Sequence, residues 1–162
     1  DKRMRVGFGY DIHQLKAGRP CILGGVHIES GLGPDGHSDA DVLIHALMDA
    51  MLGAAGLRDI GYYFPPEDDQ YKGISSMLLL EKVNFLLKER GLQAYNIDIM
   101  VISETPKLKP HIDMMKANLQ SILKIPLDRI SIKATTNEML GAIGRREGIA
   151  AQAVVSVYEG EI

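Results

Sequence analysis

A single cysteine, Cys21, stands in 162 residues. It has no partner for an internal disulfide, so a reducing compartment is expected, with Cys21 itself a small buried hydrophobe. An excess of basic charge is also missing: 18 Lys and Arg stand against 21 Asp and Glu, a formal charge of −3. No general attraction to nucleic acid or anionic lipid follows from such a balance, and any anionic ligand has to be held by local groups. The longest apolar runs, such as Met77–Leu80, fall far short of the roughly 20 residues of a bilayer span. No charged-then-apolar leader pattern opens the chain. A soluble cytoplasmic protein is therefore expected, or a plastid one where a transit segment has been removed. Repeats and low-complexity segments are absent too, and the Gly and Pro clusters are no longer than turns. With 46% hydrophobic and 24% charged residues, residues 1–162 are expected to form one domain with its own core.

What is present is a clear alternation of periods. Over Arg5–Leu15 the residues Val6, Phe8, Tyr10 and Ile12 alternate with Gly7, Gly9, Asp11 and His13, a strand period with the polar chemistry on one face. Cys21–Ile28 reads as a second strand and Glu29–Gly36 as turns. Leu43, Ala46, Leu47, Ala50, Met51 and Ala54 predict an amphipathic helix with a stripe of small residues, Ser38 and Asp41 forming its capping pair and Gly56 marking its end. Asp59–Gly73 has no usable period and reads as a long loop, of the kind that serves as a lid or contacts substrate. Ser75–Gly91 is predicted helical, Ile97–Ser103 a strand, Ile112–Ile122 a helix that ends before Pro126, and Arg129–Ala134 and Ile149–Tyr158 strands. Strands interleaved with three main helices imply an α/β (α+β) two-layer sandwich, a mixed β-sheet covered on one face.

Asp11 and His13, two apart on a strand, leave the same face and can share one ion, although for such a pair alone a solvated polar face on an edge strand is the commoner explanation. His45 strengthens the metal alternative, since Asp41 and Asp49 lie four residues to either side on its helix face and offer a carboxylate to fix its tautomer. Asp11, His13 and His45 make a one-carboxylate, two-histidine set that leaves a fourth position open, as catalytic rather than structural zinc requires. His37 and Ser38 precede the first helix, where free amides and the dipole favour an anion, or where Ser38 merely caps. Gly7-Phe8-Gly9 is no dinucleotide fingerprint, because Ile12 holds the third glycine position, and no Walker A sequence is present. Lys107 and Lys109 are either solvated or aimed at phosphates. Thr135–Glu138 ends a predicted strand, where ligands gather in α/β folds, or forms a plain turn. Arg145, Arg146 and Glu147 read as exposed ion pairs of little energetic value.

Taken together, Gly9-Tyr10-Asp11-Ile12-His13, Gly36-His37-Ser38-Asp39-Ala40-Asp41-Val42, Ile44-His45-Ala46, Leu52-Gly53-Ala54-Ala55, Arg58-Asp59-Ile60-Gly61, Phe64-Pro65, Pro106-Lys107, Lys133-Ala134-Thr135-Thr136 with Glu138, and Gly144-Arg145 resemble the 2-C-methyl-D-erythritol 2,4-cyclodiphosphate synthases of the non-mevalonate isoprenoid pathway. The resemblance runs nearly end to end in order and spacing. It implies conversion of 4-diphosphocytidyl-2-C-methyl-D-erythritol 2-phosphate to the cyclic diphosphate plus CMP, in a phosphorus–oxygen lyase. By the same resemblance Asp11, His13 and His45 are zinc ligands, and Glu138 helps hold a Mg²⁺ or Mn²⁺ that arrives with substrate. His37, Ser38 and Thr136 match transition-state stabilisers. Asp59, Ile60, Gly61, Phe64 and Asp68 match substrate-contacting segments, as do Ser103, Pro106, Lys107, Leu108, Lys109, Ala134 and Thr135 around a cytosine. Arg145, near Ala142, matches a substrate or phosphate contact. Pro66 stands where many relatives carry an acid, and Ala142 where many bacterial members carry Phe. Homotrimers with active sites between subunits are implied, with no nucleic-acid or membrane partner. Two other classes compete with the cyclase: a hydrolase that directs a zinc-bound hydroxide at a phosphate ester, and a binding module in which the metal only stabilises the fold.

Overall fold

The computed structural model describes residues 3–160. Its main sheet is built from β1 (Met4–Ala17), β4 (Leu32–Pro34), β5 (Leu92–Ile102), β6 (Ile130–Thr135) and β7 (Gly148–Glu159) in the order β4-β1-β7-β5-β6. The β5–β6 pair is parallel and the others antiparallel, so the sheet is mixed as expected. The helices are α1 (Val42–Ala54), α2 (Ile60–Tyr63), α3 (Ser76–Glu89), α4 (Ile112–Leu123) and α5 (Gly141–Gly144). Among the described residues no helix is long and apolar enough to cross a membrane.

Four local expectations are corrected. Cys21–Ile28 is two strands, β2 (Cys21–Leu23) and β3 (Val26–Ile28), paired as a hairpin. Gly24 and Gly25 between them take φ of +57° and +73°, a turn conformation that only glycine adopts without strain. The Glu29–Gly36 turns contain the short strand β4, which pairs with the end of β1. Asp59–Gly73 is not structureless: α2 and a 3₁₀ turn at Asp69–Tyr71 lie within it. Finally, α1 is buried around most of its circumference rather than on one stripe, with Leu43, Ile44, Leu47, Met48, Met51 and Leu52 all inaccessible and only Asp49 and Gly53 reaching the surface. Helices without a polar face sit inside a core, and each of these side chains contributes on the order of 1.5–3 kcal/mol by leaving water.

What lets α1 sit so deep is the glycine alternation of β1. A Cβ on Gly7 would lie 1.8 Å from the Ala50 carbonyl oxygen and one on Gly9 1.9 Å from that of Ala46, so helix backbone rests directly on strand backbone. The larger residues of β1 are thereby turned to the opposite face. Val6, Phe8, Tyr10 and Ile12 are 47–61% exposed there, with Val154 of β7 paired beside Phe8.

The start of α1 is held by Asp41, not by Ser38. The Asp41 carboxylate accepts from Ile44 N and from the Gly24 and Gly25 amides of the β2–β3 turn, at 3.1, 3.0 and 2.8 Å. Complete burial, reinforced by the nearby Asp39 carboxylate, outweighs these donors and pushes its carboxyl up to about 6. A folded-state value above the unfolded 3.8 means the folded chain binds this proton more tightly. The resulting stabilisation is complete below the unfolded value and is lost as pH rises through about 6. In Asp41→Asn this term is absent, so the stability difference, wild type minus variant, is expected to shrink between pH 4 and 6. Urea unfolding of both proteins across that range checks it; parallel curves would contradict the burial argument.

Candidate metal centre

Asp11 and His13 project from the helix-facing side of β1, and the close seat of α1 on Gly9 brings His45 down onto them. Asp11 Oδ2 lies 2.8 Å from His13 Nε2 and 3.4 Å from His45 Nδ1, and the two imidazole nitrogens are 3.4 Å apart. These three donor atoms lie close enough to hold one metal ion. Asp11 Oδ2 is buried yet receives no well-aligned hydrogen bond, an orphaned acceptor of the sort a cation satisfies. The second nitrogen of each ring is accounted for. His13 Nδ1 donates to the Asp35 carbonyl at 3.0 Å, which leaves Nε2 its lone pair. His45 Nε2 meets the hydroxyls of Ser38 and Ser76 at 3.1 and 3.0 Å.

Burial disfavours charge at both Asp11 and His13, but each outweighs that penalty for the other. The imidazoles of His13 and His45 hold the Asp11 carboxyl below the usual carboxylate range, while Asp11 and the Asp35 carbonyl raise His13 above the usual imidazole value. Metal binding requires neutral imidazole and ionised carboxylate, so a cation competes here with a proton on His13. A single carboxylate and two imidazoles is the donor set of borderline ions such as zinc.

The carboxylates expected to orient His45 do other work. Asp41 caps α1, and Asp49 accepts from Ile60 N at 2.9 Å; the partners behind the ring of His45, at Nε2, are serines. Residues four apart share a helix face, but the Asp41 side chain is taken up in capping its own helix and that of Asp49 in holding the first amide of α2. At the start of α1 the buried Asp41 carboxylate occupies the positive end of the dipole, so an anion beside His37 and Ser38 would be held by their side chains rather than by the helix terminus.

Beside the two imidazoles a cavity of about 200 Å³ is lined by His13, His37, Ser38, His45, Ile60, Gly61, Phe64, Pro66, Tyr71 and Leu79. Asp59 caps α2 through Tyr62 N at 3.0 Å, and Asp49 ties the start of that helix to α1. His37 Nε2 donates to the Asp68 carbonyl at 3.2 Å. A second cavity of about 180 Å³ collects Ser103, Glu104, Pro106, Lys107, Leu108, Lys109, Ala134, Thr135 and Thr136. It lies at the end of β6, three strand positions from β1, hence roughly 14 Å away along the sheet. Glu138 stands beyond it at φ +53°, in a turn that also carries Met139. Glu104 Oε1 holds that turn by accepting from Asn137 N and Met139 N at 2.9 and 3.1 Å. Ala142 is exposed in α5. Arg145 pairs with Glu147 at the surface, as its sequence neighbourhood suggests.

Asp35, Ser76 and Glu104 join these sites without any signal in the sequence, and Asp39, although inside the Gly36–Val42 motif, has no role assigned to it there. Each acts across a gap in the chain, 22 residues for Asp35 and His13 and 31 for Ser76 and His45, so no local period marks them.

The pattern of the YgbB family matches residues 4–158. The 2-C-methyl-D-erythritol 2,4-cyclodiphosphate synthase of Synechococcus elongatus is 59% identical over 94% of this chain and 95% of its own. The synthase of Cytophaga hutchinsonii is 54% identical over 94% of this chain and 96% of its own. Among solved structures, the bifunctional IspDF of Campylobacter jejuni superposes with a TM-score of 0.95 at 42% identity; 99% of this chain is covered, which spans 44% of that longer chain. The CDP complex of Plasmodium falciparum IspF superposes with a TM-score of 0.85 at 32% identity, over 98% of this chain and 97% of that one.

Proposed function

The chain belongs to the YgbB family, and from that premise we propose that it converts 4-diphosphocytidyl-2-C-methyl-D-erythritol 2-phosphate to 2-C-methyl-D-erythritol 2,4-cyclodiphosphate and CMP, as a phosphorus–oxygen lyase of isoprenoid precursor synthesis in the cytoplasm. An oxygen of the substrate's 2-phosphate forms a bond to the β-phosphorus, and the bond from that phosphorus to the bridging oxygen breaks, CMP leaving with the electron pair. No protein nucleophile is required, because phosphoryl transfer depends chiefly on alignment and charge neutralisation. The observation that carries this reading is the convergence of Asp11 Oδ2, His13 Nε2 and His45 Nδ1 within 3.4 Å of one another beside a cavity lined by His37 and Ser38. A divalent ion on those donors, with zinc as the assigned metal and a Mg²⁺ or Mn²⁺ at Glu138, supplies neutralisation of phosphate charge.

His37 and Thr136 are assigned to stabilise the transition state, and Ser38 to donate to a phosphate. Asp59, Ile60, Gly61, Phe64 and Asp68 are assigned to contact the substrate. Ser103, Pro106, Lys107, Leu108, Lys109, Ala134 and Thr135 are assigned to the cytosine, and Arg145, near Ala142, to a substrate or phosphate contact. CDP in the Plasmodium falciparum structure supports a cytidine diphosphate ligand. Assembly as a homotrimer is part of the proposal. The separation of the two cavities within one chain and the exposed apolar face of β1 both favour active sites completed by a neighbouring subunit.

Phosphorus NMR of the protein with Zn²⁺, Mg²⁺ and the substrate tests the reading. Appearance of CMP together with cyclic diphosphate resonances, both abolished by chelation, is expected. Persistence of substrate, or a linear product carrying oxygen from labelled water, overturns it.

A further inference from the structure

Ser76 is fully buried at the first turn of α3, yet its hydroxyl is not used to cap that helix. The cap is the preceding residue, Ser75, whose side chain accepts from Met77 N. Ser76 Oγ is instead placed between His45 Nε2, at 3.0 Å, and the carboxylate of Asp39. Asp39 serves as acceptor throughout, taking Ser76 N at 2.8 Å and Asp41 N at 3.1 Å as well.

The direction of each bond follows from what the groups carry. An ionised carboxylate only accepts, so the single hydroxyl proton of Ser76 goes to Asp39. Ser76 Oγ then faces His45 as an acceptor, and Nε2 has to supply the proton. The tautomer is fixed with Nδ1 unprotonated, and Nδ1 is the nitrogen turned toward Asp11 and His13. Ser38 alone does not impose this, since its hydroxyl proton is free to point at Nε2 while its oxygen accepts from Ala40 N. With Ser76 holding Nε2, the Ser38 proton is available to a ligand in the cavity instead.

We propose that Ser76 and Asp39 are positioning residues that lock His45 in its metal-binding tautomer, a carboxylate–serine–histidine relay reaching the metal centre from outside the cavity. The proposal rests on the metal reading of Asp11, His13 and His45. Partners behind a ligating histidine typically govern metal affinity by 10–100-fold.

Ser76→Ala and Asp39→Asn test it, with Ser75→Ala as a control that removes the cap of the same helix without touching His45. Two readouts are taken: Zn²⁺ affinity by competition with a chromophoric chelator, and the His45 tautomer by ¹⁵N NMR of the metal-free proteins. Wild type and Ser75→Ala are expected to show His45 protonated at Nε2 and equal affinity. Ser76→Ala and Asp39→Asn are expected to lose the uniform Nε2–H signature and to bind Zn²⁺ about 10–100-fold more weakly. Affinity within twofold of wild type, or weaker binding with the tautomer unchanged, overturns the proposal. So does Ser75→Ala losing as much affinity as Ser76→Ala, which would make the effect one of helix stability. Should Asp39→Asn fail to fold, the two serine variants decide alone. Failure of wild type to bind Zn²⁺ removes the metal reading instead, and the tautomer comparison still tests the relay.

Discussion

Asp11→Asn is expected to leave a folded protein that has lost its metal and its turnover. The substitution keeps the size of the side chain but removes the one negative charge among the three donors, and Asp11 Oδ2 is the atom that both imidazoles approach. A metal contributes several kcal/mol of charge stabilisation in phosphoryl transfer, so turnover should fall by about 10³-fold or more. The fold should survive because the metal-free protein already balances Asp11 against His13, and the core under α1 does not depend on either. Elemental analysis, circular dichroism and the phosphorus NMR assay together check this. Full metal content with undiminished turnover would remove Asp11 from the ligand set. Loss of the fold would make the metal a structural element, as the binding-module reading requires.

Gly9→Ala is expected to be, with Gly7→Ala, among the most damaging single methyl groups that can be added to this protein. Its Cβ would lie 1.9 Å from the Ala46 carbonyl oxygen and 2.8 Å from Ala50 N, both backbone atoms of a helix that cannot rotate out of the way. Relief requires α1 to lift from β1. Strain of this sort exceeds ordinary overpacking and should cost more than about 4 kcal/mol. Because His45 precedes Ala46, lifting the helix also withdraws Nδ1 from Asp11 and His13, so any soluble Gly9→Ala protein should lack metal. Gly53→Ala in the same helix is the contrast: its Cβ meets nothing nearer than the Phe8 carbonyl oxygen at 3.9 Å. There, alanine should stabilise by roughly 0.5–1 kcal/mol through the unfolded chain and helix propensity. Thermal melting of the two variants checks the pair. If Gly9→Ala melts with wild type, the contact between α1 and β1 is not as close as described.

The alternation of β1 and the placement of α1, α3, α4 and β7 were legible because each is a run of one period longer than its neighbours' turns. The β2–β3 hairpin was not, since its two strands have only three residues each and Gly24-Gly25 reads as an interruption as readily as a turn. The Asp59–Gly73 helices were hidden for the same reason: four and three residues are too few to show a period. The depth of α1 was missed because the helical period points to the small-residue stripe and passes over Ile44, Met48 and Leu52, apolar on the opposite face.

At the site, the sequence by itself determined the donors. Residue type and the two-residue spacing put Asp11 and His13 on one face of a strand, and the wider pattern singled out His45, His37 and Ser38. Only the tertiary structure decided what stands behind them. Asp35 was supplied by the chain that leads out of β4, Ser76 by the start of α3, and Asp39 by the segment leading to α1, while Asp41 and Asp49 turned away to hold backbone amides. Ligands that share a strand are set by local geometry, which a period reveals. Their partners are set by which loops the packing brings within about 3 Å, and nothing in a chain's local pattern encodes a meeting between residues 31 positions apart.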